Sequence, residues 1–161
     1  MLAAVRKLLG IEDQLTRLAE KPDAARFAIA LCKSPIRILA AMEHPGIDPS
    51  QITEAKLIEM LRGAAASLSQ DKDFLPFVYT DHGRRKLPFF STPDRVESFI
   101  GEYSKRQNRV FPFQVLGVQG SVLARVCPAC DVLVLNPYSA KSIELSTTQT
   151  TALVAASEFY Q

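Results

Sequence analysis

The sequence predicts an α+β fold in which packed helices cover a mixed sheet of about five to six strands. Three observations favour this class. Amphipathic segments with helical spacing are interspersed with short runs of β-branched and aromatic residues, and two of these runs flank a glycine turn. The composition, 47% hydrophobic and 22% charged, is that of a globular protein. With 161 residues, no internal repeat and no linker, the chain is expected to form one domain over residues 1–161.

The first third of the chain predicts two helices and a strand. Leucines at helical spacing favour a helix from Ala3 to Glu20, and a second helix is expected from Asp23 to Lys33 with Pro22 at its first position. Ser34-Pro35 should end the second helix, because the residue before a proline disfavours the helical conformation. Ile36 to Met42 is then bounded too closely for a stable helix, so it is predicted to be a strand.

Two further helices are predicted from their capping residues. Asp48 followed by Pro49 is a cap and a first-turn proline, so a helix is expected from Pro49 to about Leu68. Thr92 precedes Pro93 in the same way, and a helix is expected from Pro93 to Gln107.

Between these two helices the sequence predicts a β-hairpin around the turn DHGRR. Its strands are expected at Phe74 to Thr80 and at Lys86 to Ser91. Pro76 and Pro88 cannot donate to a sheet ladder, which predicts that part of the hairpin lies at a sheet edge. Phe89 and Phe90 are adjacent on the second strand, so their rings should point to opposite faces of the sheet. Both rings are buried if helices cover both faces.

The last third alternates short strands and helices. It predicts, in order, a strand at Val110 to Val115, a short helix at Leu116 to Cys127, strands at Asp131 to Pro137 and Ser142 to Ser146, and a terminal helix at Thr147 to Phe159. Gly117 and Gly120 weaken the short helix.

Cys127 and Cys130 form a Cys-x-x-Cys pair, which is the most obvious chemical motif in the chain. A redox site gains from a helix N-terminus, where the helix dipole lowers the thiol pKa, but this pair is predicted to follow a helix. A tetrahedral zinc site needs four ligands. Beyond the pair, the chain offers only Cys32, His44 and His82, with no second Cys-x-x-Cys. A structural role is therefore favoured over the redox and metal alternatives, and no metal or cofactor is expected.

Catalytic and phosphate-binding signatures are lacking in the sequence. Asp81-His82 could orient a nucleophile, but no G-x-S-x-G elbow supplies one. There is no G-x-G-x-x-G, no P-loop and no H-E-x-x-H. Both histidines lie in turn sequences, where a solvated side chain is the simpler interpretation. No catalytic residue is therefore predicted, and the chain is not expected to be an enzyme.

The cations are concentrated in two stretches that are close in sequence. They are Arg84, Arg85 and Lys86, predicted on the hairpin turn, and Lys105, Arg106 and Arg109, at the end of the next helix. One interpretation is a solvated turn together with helix-end cations that interact favourably with the dipole. The alternative is one basic surface that binds an acidic protein partner. Nucleic acid is disfavoured, because the formal net charge is only +2 and the nearby aromatic residues are expected in the core.

The sequence gives no sign of a membrane segment or of a secreted protein. Arg6 and Lys7 lie inside the apolar N-terminal stretch, which is typical of an amphipathic helix and not of a signal peptide. The longest uncharged run, from Val110 to Ala124, is too short to span a bilayer and contains a proline and two glycines. Three cysteines do not make a disulfide framework. A cytoplasmic location is expected, and no oligomeric state is indicated.

Three segments of the chain resemble the SseB protein N-terminal domain family. LTRLAEKPDAARFAIALCKSPIRIL is similar to its opening helix, proline-started helix and strand. DHGRRKLPFFSTPDRVESF is similar to its glycine turn, its strand ending in Pro-Phe-Phe and the helix that follows. VFPFQVLGVQGSVLARVCPACDVLVLNP, followed by SIELSTTQTTALV, resembles its later strands, short helix and final helix. The resemblance covers about Leu15 to Ala156.

The family resemblance bears on function as well as on fold. It implies no catalytic residues, and some members look linked to secretion or to toxin–immunity gene pairs. The chain is expected to lack the second domain that some members carry, and the segment 43–72 lies where the family varies. The sequence therefore predicts a non-catalytic, cytoplasmic protein-binding domain, with an immunity protein that blocks a toxin as the leading interpretation. A thiol oxidoreductase using Cys127 and Cys130 is the alternative, and a regulatory module that binds a small ligand comes third.

Overall fold

The computed structural model of the chain describes residues 14–41 and 75–160, together with positions 48, 50, 53 and 55. The start of the predicted helix from Ala3 to Glu20, and the predicted helix from Pro49 to Leu68 apart from three positions, lie outside this range. The described helices are α1 (14–19), α2 (Ala24–Lys33), α3 (Pro93–Gln107), α4 (Leu123–Val126) and α5 (Thr147–Ser157). The strands are β1 (Pro35–Leu39), β2 (Tyr79–Asp81), β3 (Arg84–Phe90), β4 (Val115–Gln119), β5 (Val132–Leu135) and β6 (Ile143–Glu144).

The six strands form one mixed sheet, which confirms the predicted α+β class. The strand order is β4-β1-β3-β5-β6, and β2 pairs with β3 as its hairpin partner. β3 and β5 run parallel, whereas the other pairings are antiparallel. β3 is therefore the central strand of the sheet.

Each face of the sheet carries its own apolar cluster. The first, here called the large core, lies under α1, α2, α4 and α5. Its larger buried side chains are Leu15, Leu18, Phe27, Leu31, Ile36, Ile38, Leu87, Phe89, Leu123, Leu133, Leu135, Leu145 and Leu153. The second, here called the aromatic core, lies under α3 and buries Leu39, Tyr79, Phe90, Val96 and Phe99. Phe89 and Phe90 thus point to opposite faces, as predicted, and neither ring is exposed to solvent.

The helix starts follow from their caps. Thr92 accepts a hydrogen bond from the backbone of Arg95, and Pro93 opens α3 as predicted. Asp23 caps α2 by accepting from the backbone of Arg26, so Pro22 precedes the cap and the prediction that it opens the helix is wrong. Ser146 and Gln149 form a capping box at the start of α5, which satisfies two backbone donors reciprocally.

The predictions for residues 110–127 are wrong in their boundaries. The strand is Val115–Gln119, not Val110 to Val115, and helical turns begin only after it. All five of its residues pair with β1, and this ladder outweighs the weak helical tendency of a segment with two glycines. Gly120 ends the strand where the chain passes close to α2, since an added Cβ at Gly120 would overlap the carbonyl oxygen of Leu31.

Part of the hairpin lies at a sheet edge, as predicted, because β2 pairs only with β3 among the described strands. Pro88 itself, however, is on the central strand. β2 pairs with β3 at its start, whereas β1 pairs with it only at Phe89 and Phe90. Pro88 falls between these two antiparallel neighbours, where a missing N–H interrupts neither ladder. Pro76, by contrast, lies in a single bridge with Ala40.

Candidate partner-binding surface

The hairpin turn consists of two residues, His82 and Gly83, with positive φ angles of 49° and 76°. This backbone is typical of the tight turns that match the twist of a hairpin. Asp81 and Arg84 are therefore directly paired across β2 and β3. The prediction that Arg84, Arg85 and Lys86 lie on the turn is wrong, because all three begin β3.

Lys86 lies between two carboxylates on the aromatic-core face of the sheet. Its Nζ is 2.8 Å from Asp81 Oδ2 and 2.7 Å from Glu144 Oε1, and only 11% of its side chain is exposed. These hydrogen bonds raise the pKa of Lys86 and hold the pKa values of both carboxyl groups below their ordinary range. Arg84 binds the other oxygen of Glu144 at 2.9 Å. Four charges thus form one neutral network.

Arg85 points to the opposite face, because side chains alternate along a strand. Its guanidinium Nη2 is 3.2 Å from Asp131 Oδ1, and its backbone N–H donates to Asp131 Oδ2 at 2.7 Å. The backbone hydrogen bond is the main reason that the pKa of Asp131 is lowered. The Arg85 side chain remains 57% exposed.

At the end of α3, Arg106 lies over an aromatic ring. Its guanidinium carbon is 4.2 Å from the centre of the Tyr138 ring, and its Nε is 3.1 Å from Glu102 Oε1. Both contacts leave 55% of the side chain exposed. Lys105 is exposed beside it, and Arg109 follows just after the cap of the helix, where it helps to lower the pKa of Asp48.

Two tyrosines in ring contact, Tyr79 and Tyr138, connect the cations of the hairpin with those at the end of α3. The Tyr138 ring is 6.0 Å from the Tyr79 ring, and Tyr79 is the cross-strand partner of Lys86. The positive charge of Arg106 accordingly contributes to lowering the pKa of Asp81. Arg84, Lys86 and Arg106 therefore belong to one surface, whereas Arg85 lies on the other side of the sheet.

Sequence reasoning missed the groups that balance these cations. The pairing of Asp81 with a hairpin cation could have been predicted, since Asp81 directly precedes the turn of the same hairpin. Glu144 gave no signal, because 60 residues separate it from Arg84. The role of Tyr138 likewise depends on its backbone, which has a positive φ of 61° after Pro137.

The cysteine pair follows α4, where the helix dipole opposes a thiolate. Cys127 Sγ donates to the carbonyl of Ala124 and Cys130 Sγ to that of Cys127, each at 3.3 Å. Burial raises the pKa of Cys127 and raises that of Cys130 to about 11. Both thiols are free, and so is that of Cys32. Within residues 14–41 and 75–160, three or more potential metal ligands nowhere gather into a site.

None of the helices in the described part of the chain is long and apolar enough to span a membrane.

The family model described as the SseB protein N-terminal domain matches residues 11–150, and this is the family that the sequence resembles. Neither a curated protein nor a solved structure matches the chain significantly.

Proposed function

The chain belongs to the SseB protein N-terminal domain family, and we propose that it is a non-catalytic protein-binding domain. The observation that carries this proposal is that two half-exposed arginines, Arg84 and Arg106, lie on one face of the sheet, with Arg106 stacked on Tyr138. Arg84 exposes 52% of its side chain and Arg106 exposes 55%, on the same face of the sheet. Arginine and tyrosine are enriched at the energetic centres of protein interfaces.

The proposed partner presents carboxylates to this surface. Exposed ion pairs contribute little to stability, so Arg84 and Arg106 can exchange Glu144 and Glu102 for acidic groups of a partner at small cost. Lys105 and Arg109 extend the positive field around the contact, and Arg85 adds to the long-range field from the other face of the sheet. We propose that this field favours rapid association. Lys86 is mostly buried, and we propose that it supports the surface by holding Asp81 and Glu144 in place.

The more specific proposal is that the chain acts in the cytoplasm as an immunity protein, and that the acidic partner is a toxin. Its support is the resemblance to a family with members that look linked to toxin–immunity gene pairs, together with the charged surface. A blocking protein needs only to bind and cover, so this role requires no catalytic residue and no cofactor.

A charge-reversal experiment tests the proposal. We expect Arg84→Glu with Arg85→Glu to slow association with the partner, which is first identified by cross-linking to the wild-type chain. The on-rate should also lose much of its dependence on salt, because steering by these charges is removed. A matched control is Lys21→Glu with Arg26→Glu, which makes the same change in net charge at two exposed positions in and before α2.

The reversed side chains would face Glu144 and Asp131, so thermal unfolding must accompany the binding data. Because the replaced pairs are exposed, the loss of stability should stay within about 1–2 kcal/mol. If the double variant is folded and associates at the wild-type rate and affinity, the interface lies elsewhere. Protection of cells that produce the identified partner then tests the immunity role separately.

A further inference from the structure

β4 forms one edge of the sheet, and its outer side is open as far as residues 14–41 and 75–160 are concerned. It pairs with β1 from Pro35↔Gln119 to Leu39↔Val115, and it is the last strand in the sheet order. Among the described residues, no strand pairs with its other side. Val115, Gly117 and Gln119 are exposed, whereas Leu116 and Val118 pack against the large core.

The hydrogen bonds at both ends of β4 determine which backbone groups face outward. Gly120 N–H donates to Ser34 at 2.9 Å, and Ala40 N–H donates to Gln114 at 3.0 Å. In an antiparallel ladder, hydrogen-bonded and non-hydrogen-bonded pairs alternate. The N–H and C=O groups of Val115, Gly117 and Gln119 therefore point away from β1.

Natural proteins usually protect such an edge with charged side chains, prolines or bulges. The five residues of β4, VLGVQ, include neither a charge nor a proline, and the register with β1 is continuous. An edge with these properties is suited to pairing with another strand.

Gly117, at the centre of the edge, has no evident role within a single copy. An added Cβ would meet nothing within 4 Å among the described residues, and its φ is not in the positive range. Gly120, by contrast, is required by its close approach to Leu31. A glycine inside a strand weakens that strand, and it often marks a place where another backbone approaches closely.

We propose that β4 pairs with β4 of a second copy of this chain, antiparallel and across a two-fold axis at Gly117. In this register Gly117 faces itself, and Val115 of each copy faces Gln119 of the other. An identical partner suits this edge, because β4 carries no charge and two copies therefore bring no like charges together. The nearest cation on the sheet is Arg37, one strand inward.

Long-range repulsion does not oppose this pairing. The two copies of Arg37 would lie three strand spacings apart, about 14 Å, which exceeds the Debye length at physiological ionic strength. The net charge of +2 adds little repulsion between copies. β6, which carries Glu144, is at the opposite edge, so the paired sheet leaves the proposed partner-binding surface open.

Sedimentation equilibrium of the full chain over a range of concentrations tests the proposal. We expect a reversible dimer in which the amides of Val115, Gly117 and Gln119 exchange slowly with solvent and lose this protection on dilution. Gly117→Pro removes an outward donor for which the described residues provide no acceptor, and it should raise the dissociation constant by roughly tenfold or more. Val115→Lys places a charge on the edge and should also weaken the dimer.

Val154→Lys is the matched control, because Val154 and Val115 each expose 43% of their surface but Val154 lies on α5. It should leave the dimer intact. Circular dichroism and thermal unfolding establish whether each variant is folded. If Gly117→Pro does not fold, the dissociation constant of Val115→Lys tests the proposal alone. A monomeric wild-type chain, a dimer unaffected by Val115→Lys, or equal dissociation of the control would each overturn the proposal. The first outcome would leave the edge open to a strand of another protein.

Discussion

Asn136 and Ser91 join the ends of the two parallel strands at the centre of the sheet, although 45 residues separate them. The backbone N–H of Ser91 donates to Asn136 Oδ1 at 3.1 Å, and Asn136 Nδ2 donates to Ser91 Oγ at 2.9 Å. Both residues are buried. This connection extends the β3–β5 ladder beyond its last residue and fixes the loop that carries Tyr138.

Asn136→Ala should destabilise the chain by about 2–4 kcal/mol, because it leaves the Ser91 N–H unsatisfied and places alanine at a positive φ. Asn108→Ala is the matched control. Asn108 has almost the same φ, 50° against 49°, but it is exposed at the end of α3. The control should cost about 1 kcal/mol. Equal losses in urea unfolding would mean that the two side-chain hydrogen bonds do not contribute.

Phe89→Ala and Phe90→Ala should each cost about 3–5 kcal/mol, because each ring fills a different core and neither touches solvent. From the sequence alone, a sheet covered by helices on only one face was also possible. In that case the losses of stability caused by Phe89→Ala and Phe90→Ala would differ sharply. Phe159→Ala is the control, since 84% of Phe159 is exposed. Chemical denaturation of the three variants measures these differences. Near-neutral results at both core positions would contradict the strand assignment.

Lys86→Met should lower the free energy of unfolding at neutral pH by about 1–2 kcal/mol. Removing one partner of a buried ion pair is more costly, but here the two carboxylates are 39% and 41% exposed and water can solvate them. Lys105→Met, at an exposed lysine, should have almost no effect. Urea unfolding of both variants beside the wild type gives the comparison.

The pH dependence of the Lys86→Met effect has a defined sign. The pKa values of Asp81 and Glu144 are lowered in the folded chain, so their contribution is present above the unfolded values of about 4 and is lost as the pH falls through the folded ones. The stability difference between wild type and variant should therefore shrink on acidification. A difference that stays constant would show that Lys86 acts through packing alone.

Cys127→Ser with Cys130→Ser should leave the chain folded and its partner binding unchanged. Each serine hydroxyl can donate to the carbonyl that the thiol now contacts. In the wild type, the alkylation rate of Cys130 by iodoacetamide should keep rising with pH towards the pKa of about 11, because only the thiolate reacts. A rate that levels off near neutral pH would favour the oxidoreductase alternative.

Local signals account for what the sequence predicted well. Thr92 and Pro93 mark the start of α3 within a few residues, so its bounds agree with the structure. The alternation of side chains along a strand, which places Phe89 and Phe90 on opposite faces of the sheet, is an equally local signal. The region 110–127 gave no such signal, because an uncharged apolar run is compatible with either a strand or a helix. There the pairing with β1, a segment far away in the chain, determined the outcome.

The candidate surface was predictable only in part, for the same reason. The sequence shows where the cations are, but their environment depends on strands that are distant in sequence. Lys86 looked like one of three equivalent cations, and β6 makes it different by bringing Glu144 to its Nζ. The parallel pairing of β3 with β5 could not be read from either strand alone.

The strand order also bears on how the chain folds. β1 must find β3 and β4, and β3 must find β5, so the sheet is built from contacts between segments far apart in sequence. Closing such long loops costs entropy before the contacts form, and folding on a timescale of milliseconds to seconds is expected for this kind of topology. β3 has neighbours on both sides, so an intermediate that lacks β5 would expose the unpaired N–H and C=O groups along one edge of β3. During synthesis, β5 and β6 emerge from the ribosome after β1 to β4, so β3 remains unpaired on that side until they do.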